Sequence, residues 1–305
     1  MAESTPGVEL AEAPSASGDG PGGLPVTRVL HQRLRYTYAA PVRNLRHRLI
    51  VVPRMEHGGE CRLAHRVSVT GAEAHLASRT DSFANHVIDV WAPVVGQFIE
   101  FEAWAVVRRH DARPAALHVG AASDPRLLRS TALTRTDDAL VDAIRSMGAN
   151  RSGTADPRGL AERVCTWAHG ALRYEYGVTT VRTTAGQALA GGVGVCQDYA
   201  HVMVAMCRAL GIASRYVSGH LAGQGGSHAW VEVLVPSPAG VDVVAFDPTN
   251  DRHAGYDYLT VAVGRDYADV APTSGAFEGD GTGVLHATKR LGTVGSAPDM
   301  TALAG

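Results

Sequence analysis

From Thr27 onward, apolar or β-branched residues alternate with polar ones in a series of short segments: RVLHQRLRYTY, VRNLRHRLIVVPR, ECRLAHRVSVTG, FANHVIDVWAP and QFIEFEAWAVVRR. Each has the period of two that puts one face of a strand against a core, and Pro, Gly or Asp separates them. Five or six such strands before residue 110 predict a β-sandwich. After about Ala112 the period lengthens. In TRTDDALVDAIRSMG, Leu140, Val141 and Ile144 share a helical face, with acids in the first turn and Gly148 at the end. PRGLAERVCTWAHGAL repeats the scheme around Leu160, Val164 and Trp167, and Cys165 beside that stripe reads as a core residue. A third section, from about Thr184 to Arg265, reads loop, helix, strand, hairpin. No internal repeat is present.

The two ends differ in kind. Residues 1–26 are rich in Ala, Ser, Gly, Pro and acids and cannot bury enough apolar surface to order, so a disordered tail is expected there. Residues 292–305 read as a frayed tail. The predicted organisation is a β-rich domain over 27–112, then a core over 113–291.

Composition narrows the function classes. Of 305 residues 45% are hydrophobic, and 28 basic against 30 acidic side chains give a net charge of -2, so neither nucleic acid nor a membrane surface is an expected partner. Lys289 is the single lysine among the basic residues, a bias that reads as GC-rich genomic background. The four cysteines form no CxxC pair and the N-terminus does not read as a signal peptide, which predicts reduced thiols and a cytoplasmic location.

The chemistry concentrates in AGGVGVCQDYAHVMVAMCRALG. Three glycines precede a helical run with Tyr199, Val202, Met203, Met206 and Leu210 on one side, and Gly211 ends it. Cys196 falls in the first helical turn, where unpaired N–H groups and the positive end of the macrodipole favour an anion such as a thiolate. Its own N–H is positioned for a developing oxyanion. The G-x-G-x-x-G spacing of a dinucleotide site is absent. Cys207, about 16 Å along the helix, is too far to cooperate and reads as core.

Downstream, SHAWVEVLV alternates so that His228, Trp230, Glu232 and Leu234 share one face, and VDVVAFDPTN closes at Asp247 before Pro248. With PSPAG as the turn, Leu234 faces Val241, and His228 then sits opposite Asp247 with Cβ atoms roughly 5 Å apart. A slip of one residue would send the two side chains to opposite faces. Singly, a helix-start cysteine, a strand-end histidine and an aspartate before proline are ordinary structural residues. Together they form a thiol, a base and an orienting carboxylate.

At these residues the sequence resembles the transglutaminase-like superfamily, specifically bacterial proteins with a β-rich N-terminal region. GVCQDYAHVMVAMCRALGIASRYVSGHL, SHAWVEVLV, AFDPTN and GRDYADVAP carry the resemblance in order, and PVRNLRHRLIVVPR and SFANHV extend it more loosely over most of residues 27–290. The resemblance implies an α+β fold: a β-sandwich-like domain, then a papain-like core whose cysteine helix packs on an antiparallel sheet. It implies Cys196 as nucleophile, His228 as general acid and base, and Asp247 as orienter. The expected activity is acyl transfer on an amide through a thioester, leaning to hydrolysis of a peptide, protein or small amide. Transamidation to an amine and a non-catalytic peptide-binding module are the alternatives.

Other candidates are Gln197 and Gln187 as oxyanion donors, Asp198 as a helix-dipole partner beside the thiol, and Trp230, Tyr199, Arg265 and Asp266 as cleft-lining residues, with Asp269 in a possible ion-pair network around Arg265. No cofactor and no metal are expected: His57, Cys61 and His65 are spaced by four in a turn entering a strand, His47, His75 and His86 are scattered, and neither HExxH nor an EF-hand loop is present.

Overall fold

The computed structural model describes residues 25–110, 116–148, 156–238, 240–280 and 282–294. The expected tails, up to residue 24 and from 295, lie outside the described residues.

The N-terminal alternation becomes strands β1 (Val26–Tyr38), β2 (Val42–Leu49), β3 (Glu60–Thr70), β4 (His75–Thr80), β5 (His86–Val95) and β6 (Phe98–Arg109). The helical stretches are α1 (Asp138–Ser146), α2 (Pro157–Ala171), α3 (Ala185–Gly191) and α4 (Cys196–Ala209). Strands β7 (Ser214–Leu221), β8 (His228–Ser237), β9 (Gly240–Asp247) and β10 (Tyr258–Gly264) follow, then β11 (Thr273–Glu278) and β12 (Gly283–Val294).

Two sheets make the sandwich. One runs β12-β1-β6-β3 with the short strand Glu56–His57 at its edge, and the other runs β11-β2-β5-β4. Leu34, Ile99 and Phe101 from the first meet Leu45, Leu49, Ile88 and Val90 from the second in one buried cluster, the inward faces that the alternation assigns. The expected core, ending at residue 291, therefore needs correction. Strand β11 pairs with β2, and β12 pairs with β1 from Thr27↔Val294 to Tyr38↔Gly283. The chain after the core returns to complete both sheets, and residues 292–294 are strand.

The core sheet is antiparallel, in the order Arg252–His253, β9, β8, β7, β10. Ala229, Val231 and Val233 of β8 join the cluster that holds Val202, Met203 and Met206 of α4. Trp230, on the alternate face, packs with Val217, Leu221, Tyr258 and Val263. Both faces of the sheet are thus covered, one by helices and the other toward the sandwich. Glu232 crosses that second junction, accepting from Arg215 Nε at 2.6 Å and lying 2.6 Å from His57 Nε2. Burial raises the Glu232 pKa, but the charges of Arg215 and His57 outweigh it and hold the carboxyl well below its usual range.

The hairpin register differs from the expected one by two residues. Leu234 pairs with Val243 and the ladder continues through Pro236↔Val241 to Ser237↔Gly240. The proline is tolerated because Leu234 N–H, two residues earlier, points to Ala213, which precedes β7. The missing N–H of Pro236 is aimed at the same side, beyond the point where β7 could pair with it. A shift of two conserves the faces.

Candidate active site

Cys196 is the first residue of α4, half-buried, with Val195 at the cap. Val195 N–H donates to Asp198 Oδ2 at 2.8 Å, and Thr179 Oγ1 donates to the same oxygen at 2.7 Å. Asp198 is therefore a buried brace for the helix start, and burial raises its pKa despite those bonds. Gly194 makes room for it: a Cβ there would lie 2.7 Å from Asp198 Cβ. The Cys196 N–H has no acceptor among the described residues, the condition an oxyanion donor requires.

His228 opens β8 and Asp247 closes β9. In the observed register Asp247 falls diagonally from His228 on the same face. That suffices: His228 Nε2 lies 2.7 Å from Asp247 Oδ2. The Cys196 side chain lies near enough to raise the pKa of the imidazole, and with Nε2 engaged by Asp247, Nδ1 is the nitrogen left for the sulfur. Burial lowers the His228 pKa, but the bonds to Asp247 and Cys196 and their charges overcome it and raise it to about 9. For Asp247, burial raises the pKa, and the His228 bond and charge with the Tyr258 and Asn250 bonds bring it below its ordinary value.

Asp247 is fully buried and fully partnered. Tyr258 Oη and Asn250 Nδ2 each donate to Oδ2 at 2.6 Å, and the Thr249 N–H donates to Oδ1 at 2.9 Å. Thr249 and Asn250 were within reach of the sequence, because an aspartate before Pro-Thr-Asn caps its own turn. Tyr258 comes from β10 and no local pattern announces it.

In front of this chain lies a cleft of about 420 Å³, lined by Tyr174, Tyr176, Gly225, Ser227, His228 and Asn250 among others. Tyr174 also faces Cys196 closely enough for their charges to interact. The two tyrosines precede the sequence motifs, in RYEYG, and no spacing rule ties them to the site.

Several expected positions lie elsewhere. Gln187 completes the capping box of α3, its Oε1 accepting from Thr184 N at 2.9 Å. Gln197 holds the Thr180 carbonyl at 3.3 Å. Tyr199 is buried and donates to Leu172 O at 2.7 Å. Trp230 is buried beneath the site, its ring centroid 6.3 Å from that of His228. Arg265 is engaged by both carboxylate oxygens of Asp269 at 2.8 Å, and Asp266 caps the short helix Tyr267–Val270. None of the four expected cleft-lining residues, Trp230, Tyr199, Arg265 and Asp266, lines the cleft. Cys165 and Cys207 are buried. Among the described residues no His, Cys, Asp or Glu cluster is arranged to hold a metal.

Comparison with known proteins places these elements. Residues 145–248 match the model of the transglutaminase-like superfamily core, and residues 29–108 match the bacterial transglutaminase-like N-terminal region. An uncharacterized protein of Mycobacterium bovis is 30% identical over 303 residues, covering 85% of this chain and 91% of its own. One from Mycobacterium leprae is 35% identical over 148 residues, 45% of this chain and 51% of its own. A solved structure from Cytophaga hutchinsonii, described as a candidate cysteine protease, superposes with a TM-score of 0.69 at 19% identity, covering 90% of this chain and 93% of that one. At that identity the likeness shows the fold.

Proposed function

The chain belongs to the transglutaminase-like superfamily, and from that premise we propose that it is a thiol hydrolase of amides with Cys196 as nucleophile, His228 as acid and base, and Asp247 as orienter. The observation that carries this reading is the buried His228–Asp247 bond, its carboxylate occupied at both oxygens, beside a cysteine at the start of α4 whose side chain raises the imidazole's pKa.

In the first half-reaction the Cys196 sulfur attacks the carbonyl carbon while His228 holds the proton the thiol gave up. The carbonyl oxygen takes the electron pair and lies against the N–H groups at the start of α4. As the C–N bond breaks, the imidazolium passes its proton to the departing amine. A water molecule then attacks the thioester, gives a proton to His228, and releases the carboxylic acid with the thiol restored. Asp247 keeps the imidazole in the orientation both steps need.

Hydrolysis is favoured over transfer to an amine because the cleft is open and lined by neutral polar groups beside His228, so water has direct access to the thioester. Incubating a glutamine-containing peptide library with a labelled amine separates the two. Shortened or deamidated peptides without label support hydrolysis; incorporated label as the main product overturns it. Four unpaired cysteines support a reducing, cytoplasmic setting; among the described residues no helix is long and apolar enough to cross a membrane.

A further inference from the structure

The single lysine, Lys289, belongs to β12, where it pairs with Gln32 of β1. On β1 the residues of that face, Arg28, Leu30, Gln32 and Leu34, are all buried. The Arg28 end of this face meets the catalytic core: Arg28 Nη1 donates to Tyr258 O at 3.2 Å, and the hydroxyl of Tyr258 holds Asp247. Leu291, two residues beyond Lys289 and on the same face, packs against the cluster that contains α4. The face of β12 that carries Lys289 thus packs on the catalytic core. Its charge bears on Cys196 and on His220, and His220 in turn bonds Gly226 O of the cleft wall through Nδ1 at 3.1 Å.

Other buried or half-buried cations at these junctions have anionic or carbonyl partners, with Arg109 Nε and Arg215 Nη2 left over. Arg109 meets Glu60, Arg215 meets Glu232, and Arg208 holds the carbonyls of Leu127, Ser214 and Arg265. Lys289 has neither a hydrogen bond nor a salt bridge among the described residues. It is half-buried, yet its amine is not one of the sealed, unpartnered atoms, so solvent reaches it. Burial lowers its pKa to about 8, with the Cys196 charge opposing. A cation in such a place lacks an anion.

We propose that Lys289 binds a carboxylate of the substrate, so that the enzyme acts on amides carrying a carboxylate close to the scissile bond. The inference rests on Cys196 being the nucleophile and adds the substrate class. A carboxylate docked on Lys289 brings the neighbouring carbonyl to the sulfur, and no neutral isostere gains the same charge-assisted bond.

Iodoacetate and iodoacetamide test it without a known substrate, since one carries a carboxylate where the other carries an amide. Alkylation rates are read by peptide mapping at pH 7, where Lys289 is charged. In the wild type the acetate-to-acetamide rate ratio at Cys196 should exceed that at half-buried Cys61 by about tenfold. Lys289→Met should remove most of that excess while leaving the iodoacetamide rate within about twofold, and Lys289→Arg should retain it. An unchanged ratio in Lys289→Met overturns the proposal. Cys196 reacting no faster than Cys61 with either reagent overturns the thiol-enzyme reading itself, a separate outcome. Peptide pairs that differ as Glu against Gln beside the bond, or as free against amidated C-terminus, identify the source of the carboxylate. Equal turnover across both pairs also overturns it.

Discussion

The core sheet supplies the carboxylates of two carboxylate–histidine pairs of nearly equal length. At its open end Asp247 lies 2.7 Å from His228; at its junction with the sandwich Glu232 lies 2.6 Å from His57. Both carboxyls are held below their ordinary pKa by their partners. What separates them is access. The first pair opens through His228 onto a cleft, with the Cys196 thiol near the imidazole, whereas the second is sealed between sheet and sandwich and its other partners are Arg215 and Arg54. A histidine–carboxylate bond is therefore not a site by itself. A nucleophile and an open face make it one.

Substitutions can break this contrast, and the largest effect should come from the thiol. Cys196→Ala should lower turnover by about a million-fold without changing the unfolding midpoint, measured by single-turnover assay and denaturation. Asp247→Asn should cost up to about ten-thousand-fold in kcat, because the amide cannot enforce the imidazole's orientation; full activity there would erase the distinction between the two pairs. Glu232→Ala should act on the opposite axis. It strands Arg215 and His57 and should reduce stability by about 3–5 kcal/mol in urea unfolding, with kcat per folded molecule nearly unchanged.

The pH dependence follows from His228. Its pKa rises from 6.5 to about 9 on folding, so the stabilisation from its charged form is complete below 6.5 and is lost as pH climbs through about 9. Activity that needs the imidazolium should fall above about pH 9, and in Asp247→Asn this descending limb should move toward lower pH. The smallest effect belongs to Gln187→Ala. As a capping residue it should cost under about 1 kcal/mol of stability and leave kcat in place; a hundredfold loss of kcat would return it to the oxyanion.

What was legible in the sequence depended on how locally each feature is encoded. The sandwich strands were visible because burial alternates along them. Strand β4, HLASRT, was not, since every residue in it is exposed. The cysteine helix and both hairpin strands were readable, and the facing of His228 and Asp247 followed from parity. The register differs by two, because Pro236 reads as turn in the sequence whereas the sheet accommodates it. The partners that hold or surround the site, Tyr258, Tyr174 and Lys289, come from segments remote in sequence. No periodicity records such meetings. Arg265 and Asp266 fell next to a recognisable motif, yet their charges are consumed by a local cap and a local ion pair.

The pairing of β12 with β1 also sets an order of assembly. The sandwich is closed by strands at its two sequence extremes, and the whole catalytic core is strung between them as an insertion. On the ribosome the first six strands emerge long before their last two neighbours. The edge of β1 must stay unpaired while roughly 170 further residues are made, about 10 s or more at common elongation rates. Lys289, the proposed carboxylate anchor, arrives with that final strand, so the proposed substrate site is complete only when the sheet is closed.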